Sequence, residues 1–203
     1  MTVRKPFWEN LEVDPRHLDS FPANAVRWSY HSVYSLAPNI IRDGIFSPSF
    51  ARRVIKKTPS LDVAPENEVS TWRTHSPLED YYHLESLRYG KVRFLISGKA
   101  PITDDTPFTP ARAKYRIPPK YLTAVIVPEN REASDKLDKL VPKEKLKNYE
   151  GSDDPVEVQI GRIIKSATLA GIPVYSTRGI RIWPPVGILE RLKVWIKSTF
   201  EKK

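Results

Sequence analysis

The side chains best placed for chemistry are an imidazole and a hydroxyl side by side, His31-Ser32. They lie within Trp28-Ser-Tyr-His-Ser-Val-Tyr-Ser-Leu-Ala-Pro-Asn-Ile-Ile-Arg-Asp-Gly-Ile45. This stretch reads as a short strand ending in an exposed His, followed by one amphipathic helix. Leu36, Ile40 and Ile41 fall at i, i+4 and i+5, one face of that helix. Ser35 is positioned to cap it, Pro38 lies in its first turn, and Gly44 supplies the left-handed stop. A polar His-Ser pair at a strand end, beside a helix, is a common way to present a small-molecule site.

Other groups carry two readings each. Arg52-Arg53 offers forked guanidinium donors to a phosphate, or a solvated basic turn. Tyr81-Tyr82 reads first as core packing on a helix face and second as a stacking surface. Arg88-Tyr89, Lys91 and Arg93, like Lys114-Tyr115-Arg116, interleave cations with rings as single-strand nucleic-acid surfaces do. Ordinary strands carry the same mixture. The acid pairs Asp104-Asp105 and Asp153-Asp154 have no histidine near them in sequence and read as solvated or capping groups.

Several chemistries are excluded. The chain has no Cys, which removes disulfides, thiolate nucleophiles and Cys-based metal sites. Its four histidines, His17, His31, His75 and His83, have no zinc-ligand spacing. With eight glycines it contains neither GxGxxG, GxxxxGK[ST] nor GxSxG, which argues against P-loop and Rossmann nucleotide sites and against a nucleophile elbow. No apolar run approaches the roughly 18–20 residues that span a bilayer. The opening residues, Met1 to Trp8, lack a signal-peptide apolar core, so the expectation is a cytoplasmic protein with no membrane association.

The formal charge of +9 raises the expectation of an anionic partner, nucleic acid among them. Residues 1–100 hold 14 Lys/Arg against 11 Asp/Glu, and residues 101–203 hold 19 against 13, so the excess is mild and spread. A general solubility charge accounts for it equally well. Nineteen prolines and no Cys fit a heat-adapted composition with stiff loops.

The elements that must position these groups alternate irregularly, which favours an α+β fold in one domain over a doubly wound one. Residues 1–25 read as an extended arm, 26–128 as the core, 129–152 as a charged connector, and 153–203 as helices around a short hairpin. Within the core, Ser47–Lys57 reads as a short helix or loop, and Val69–Arg73 as a strand. A helix from Leu78 is closed by Gly90. Lys91–Ser97 reads as a half-buried strand, Ala113–Ile117 as an edge strand, and Leu122–Val127 as the clearest strand of all. Residues 98–111 form a loop long enough to expect function or flexibility. The connector carries 6 Lys/Arg and 6 Asp/Glu. Val156 to Ala167 has helical spacing up to Gly171, Ile172–Tyr175 and Ile180–Trp183 read as strands, and a last helix runs from about Gly187 to Phe200. That helix has a wide apolar face, and packing on its own core is favoured over a membrane surface.

Set in this order, Tyr30-His31-Ser32 through Leu36, Ile40, Ile41, Gly44 and Ile45 resembles the first motif of ADP-ribosyltransferase-like domains. There a strand-end His or Arg, followed by Thr or Ser, precedes a Leu-x-x-Ile-type helix closed by Gly. Trp72–Pro77 through Tyr82, with Gly90–Ile96, resembles the second segment, a strand, helix and strand that form a pocket wall. Arg116-Ile-Pro-Pro-Lys-Tyr-Leu-Thr-Ala-Val-Ile-Val127 resembles the stretch at the third motif. The likeness spans roughly residues 27–128.

The resemblance implies a split, mixed or antiparallel sheet with flanking helices and a carboxyl-terminal helix, holding NAD without a Rossmann fingerprint. It implies that His31 and Ser32 contact NAD, that Tyr81 or Tyr82 lines the nicotinamide with Tyr82 stacking, and that Arg52 or Arg53 meets the pyrophosphate. His31, Tyr82 and Arg53 would then be the catalytic set, and the acceptor a nucleic acid or a protein. The family's third-motif Glu is not matched: Ala111–Tyr115 has no acid, Glu129 follows the strand, and Glu157 sits in a helical apolar pattern. A divergent enzyme and a catalytically silent relative both fit. The competing expectations are a non-enzymatic nucleic-acid-binding protein of a virus or mobile element, and an assembly protein that uses its last helix, with Trp195, as an interface.

Overall fold

Val92-Arg-Phe-Leu-Ile-Ser97 is rich in β-branched and aromatic residues, and it forms the central strand of a seven-stranded sheet. The computed structural model describes residues 26–55, 68–73, 89–103, 111–139 and 154–183. In chain order these form β1 (Val26–Ser32), α1 (Ala37–Asp43), β2 (Ile45–Phe46), α2 (Pro48–Ile55), β3 (Glu68–Arg73), β4 (Val92–Ser97), β5 (Ala111–Lys114) and β6 (Arg116–Ile117). A 3-10 turn (Pro119–Tyr121) leads into β7 (Leu122–Val127), followed by α3 (Arg131–Asp138), α4 (Val156–Ala170), β8 (Val174–Ser176) and β9 (Arg181–Trp183).

The sheet runs β5-β3-β1-β4-β7-β8-β9, and β2 pairs with β6 in a separate two-stranded ribbon. Every neighbouring pair is antiparallel except β7–β8, whose parallel pairing follows from the crossover through α4. The protein is thus α+β, built on a mixed sheet. The expected amino-terminal arm, the helix from Leu78 and the last helix lie outside the described residues, as do 104–110 of the long loop and 140–152 of the connector.

Register assigns the strand residues to two faces. Trp28, Phe94, Ile96, Val125 and Val174 belong to one hydrophobic cluster with Ile40 and Ile41 of α1, and with Ile160, Ile163 and Ala167 of α4. The i, i+3, i+7 spacing on α4 is what sets its apolar stripe against the sheet. Gly171 ends that helix in the left-handed conformation, as its position after the last periodic residue predicts.

Helix α1 differs from expectation in its first turn. Residues Val33–Leu36 form a hydrogen-bonded turn, the helix starts at Ala37, and the position before it is Leu36, with no side-chain cap. Ser35 is exposed and Leu36 is 44% exposed. The buried face is therefore Ala37, Ile40 and Ile41, one register later than Leu36 suggested. Gly44 ends the helix at φ 92°, and an added Cβ would lie 2.3 Å from the Ile117 carbonyl oxygen, so only glycine lets β6 pass this close.

Candidate functional site

His31 sits one residue from the end of β1, directly opposite Arg93 of β4. Directly paired residues share a sheet face, so the row continues through Ile126 of β7, Tyr175 of β8 and Arg181 of β9. Ser29, two residues before His31, lies on the same face. This face collects an imidazole, two guanidinium groups, a phenol and a hydroxyl, and the row itself contains no carboxylate. It lies opposite the main hydrophobic cluster, to which Leu95, Ala124 and Ile126 do not belong.

The groups are held firmly. Arg93 is fully buried, and its Nη2 donates to Ser29 Oγ at 3.0 Å. His31 is 4% exposed, with Nδ1 3.2 Å from the Gly90 carbonyl oxygen. A carbonyl only accepts, so Nδ1 carries the proton in this bond and the neutral ring offers Nε2 as an acceptor. Gly90 can approach because it has no side chain. Its φ is 137°, and an added Cβ would lie 2.1 Å from the Ser32 carbonyl. Burial pushes the Tyr175 phenol up, and the Arg181 guanidinium partly offsets that shift.

Two polar clusters brace the same end of the sheet. Lys91 Nζ contacts Asp138 Oδ2 at 2.6 Å and donates to Ser134 Oγ at 2.9 Å, while Tyr34 Oη donates to Ser134 Oγ at 3.1 Å. Helix α3, capped by Asn130 through the Ala133 amide, is thereby tied to the chain just after β1 and just before β4. Beyond β7, Glu129 accepts from Arg178 Nε and Nη2 at 2.8 and 2.6 Å, a forked pair joining the exit of β7 to the β8–β9 turn.

The expected site residues are distributed unevenly. His31 lies at the expected strand end but is buried rather than exposed, with Nδ1 turned to the Gly90 carbonyl instead of solvent. Ser32 alternates to the opposite face, and its Oγ donates to the Val33 carbonyl at 3.3 Å. Arg53 is exposed on α2, and no hydrogen bond or ion pair among the described residues joins it to His31. Arg52 lies on the same helix, with its side chain outside the described residues, and Tyr81 and Tyr82 lie outside them altogether. Glu157 is exposed in the first turn of α4, where Oε1 accepts from the Arg131 amide at 3.3 Å.

Sequence reasoning missed Arg93, Tyr175 and Arg181. Arg93 was grouped with an outward-facing basic strand, yet it is closed off from solvent and unable to touch a nucleic acid. The available signal was its setting: one cation inside Val-Arg-Phe-Leu-Ile, where the apolar residues on both sides imply a strand buried on both faces. Among the described residues, no group of three or more His, Asp and Glu is arranged to hold a metal ion. No described helix is long and apolar enough to cross a membrane. Comparison with protein-family models and with curated proteins finds no match for this chain.

Proposed function

We propose that the His31–Arg93–Tyr175–Arg181 face binds NAD in the manner of an ADP-ribosyltransferase-like domain. The observation that supports this most is the charge of the cross-strand row: two guanidinium groups, an imidazole and a phenol on one face, with no carboxylate among them. The row makes that side of the sheet positive, and Arg181 presents a guanidinium fork at its edge, which suits a diphosphate. Arg181, the partly exposed end of the row, would meet the diphosphate, while Arg93 and His31, sealed beneath, would lend charge and position rather than contact. The hydroxyl of Ser29 fixes Arg93. Bound NAD supplies a nicotinamide–ribose bond that is open to heterolytic cleavage.

The transfer itself calls for a carboxylate beside the ribose. Glu129 is at the correct end of the sheet but is gripped by Arg178, and Glu157 faces solvent on α4. Accordingly the proposal is of NAD binding, with the acceptor a nucleic acid or a protein. The test is titration calorimetry with NAD, alongside an assay for released nicotinamide. Millimolar or tighter binding is expected, weakened at least tenfold in Arg181→Ala, whose partly exposed side chain can be removed without opening the core. Absence of heat at millimolar NAD in the folded protein would reject the reading. Binding without nicotinamide release would identify the silent form of the family.

A further inference from the structure

Strand β5 alternates strictly: Ala111 and Ala113 point inward, Arg112 and Lys114 outward. Continued by one residue, that alternation would bury Tyr115. The backbone instead turns left-handed there, at φ 61°, and Tyr115 is the only non-glycine residue with positive φ among those described. The turn swings the ring outward to 54% exposure. Three consecutive residues, Lys114, Tyr115 and Arg116, therefore face solvent before Ile117 is buried again. A tyrosine is both held in a disfavoured backbone conformation and denied the burial its ring would gain.

The corner is rigidly placed. The Tyr115 carbonyl accepts from the Ser47 amide at 2.7 Å, and Arg116 pairs with Phe46 across the β2–β6 ribbon. Helix α2 starts from this junction and carries exposed Arg53 about 7.5 Å along its axis. Lys114, Arg116 and Arg53 take part in no ion pair among the described residues. By contrast the neighbouring Arg112 is neutralised by Glu68 at 2.9 Å.

From this we infer that the Tyr115 corner binds single-stranded nucleic acid, one base stacking on the tyrosine ring while Lys114, Arg116 and Arg53 meet the phosphates. An exposed ring between two free cations is the arrangement that favours a strand with unpaired bases, since a duplex hides its base faces. The net charge of +9 supplies the long-range attraction. The inference is independent of NAD binding: it uses neither His31 nor the Arg93 face.

Fluorescence anisotropy with labelled 15-mers of deoxythymidine and uridine, against a duplex of equal length, tests it in the full chain. Three phosphate contacts predict roughly a 20-fold loss of affinity for the single strand between 50 and 200 mM salt. Tyr115→Ala should weaken binding about 5- to 100-fold, and Tyr115→Trp should preserve it. Lys114→Glu with Arg116→Glu should flatten the salt dependence. Tyr115→Gly supplies the control for folding, because glycine accepts the left-handed backbone freely: it should melt at a higher temperature than the parent protein yet bind as weakly as Tyr115→Ala. Equal affinity for an abasic oligonucleotide or a polyglutamate peptide would overturn the inference, leaving a general anion surface. So would a preference for the duplex, or Tyr115→Ala binding as tightly as the parent.

Discussion

Arg93 and Ser29 meet through a 3.0 Å hydrogen bond, with both side chains closed off from water, in the middle of the sheet. A buried guanidinium is costly unless its donors find acceptors, and the Ser29 hydroxyl accepts from one of them, Nη2. Ser29→Ala removes that acceptor and leaves the cation in place. The expected loss is about 2 kcal/mol, in the range for hydrogen bonds to charged groups. Arg93→Met, which keeps length without charge, should then make Ser29→Ala nearly neutral. Urea denaturation of both single variants and the double variant checks this; additive losses would show that the bond contributes nothing.

Gly90 links the structure of the strand end to the orientation of His31. Its φ of 137° and the 2.1 Å approach of an added Cβ to the Ser32 carbonyl leave no space for alanine. Gly90→Ala must move the backbone, and with it the carbonyl that accepts from His31 Nδ1. A destabilisation above about 3 kcal/mol is expected, from strain and displaced packing together. Heteronuclear NMR of the imidazole provides a second readout, since the Nδ1 proton should lose its protection from exchange. A variant with parental stability and an unchanged His31 signal would contradict the close approach.

Much of the fold was legible in local pattern. The strand at Leu122–Val127, the helix ended by Gly171 and the hairpin around Arg178-Gly179 each rest on short-range signals, apolar periodicity and glycine, and each is present. Burial was less legible. Alternation of Arg93 with Val92 and Phe94 suggests one wet face, but every residue from Val92 to Ile96 is buried, so both faces of this central strand are covered. Tyr115 illustrates the same limit at the backbone. Nothing in tyrosine favours a left-handed φ; the turn is imposed because β6 must leave β5 and pair Ile117 with Ile45 of a separate ribbon. The polar row at the candidate site is likewise a product of register, since His31, Arg93 and the hairpin that carries Tyr175 and Arg181 are far apart in sequence and share no spacing rule.

The main core makes its own prediction at high pH. Tyr30 of β1 packs against the hydrophobic cluster, and burial pushes its phenol up to about 12. In the unfolded chain the phenol ionises near the ordinary value of about 10. Below that pH both states hold the proton, and the contribution to stability is fully present. As pH rises from about 10 towards 12 the unfolded state gives up its proton and the folded state does not, so the contribution is lost. Two units correspond to on the order of 2–3 kcal/mol for this one group. Tyr30→Phe keeps the ring and removes the ionisation, so the parent should lose stability faster than the variant above pH 10. Urea midpoints at pH 9 and pH 11.5 measure the difference, with lysine titration common to both proteins. Parallel losses in the two proteins would mean that the Tyr30 hydroxyl is in contact with water.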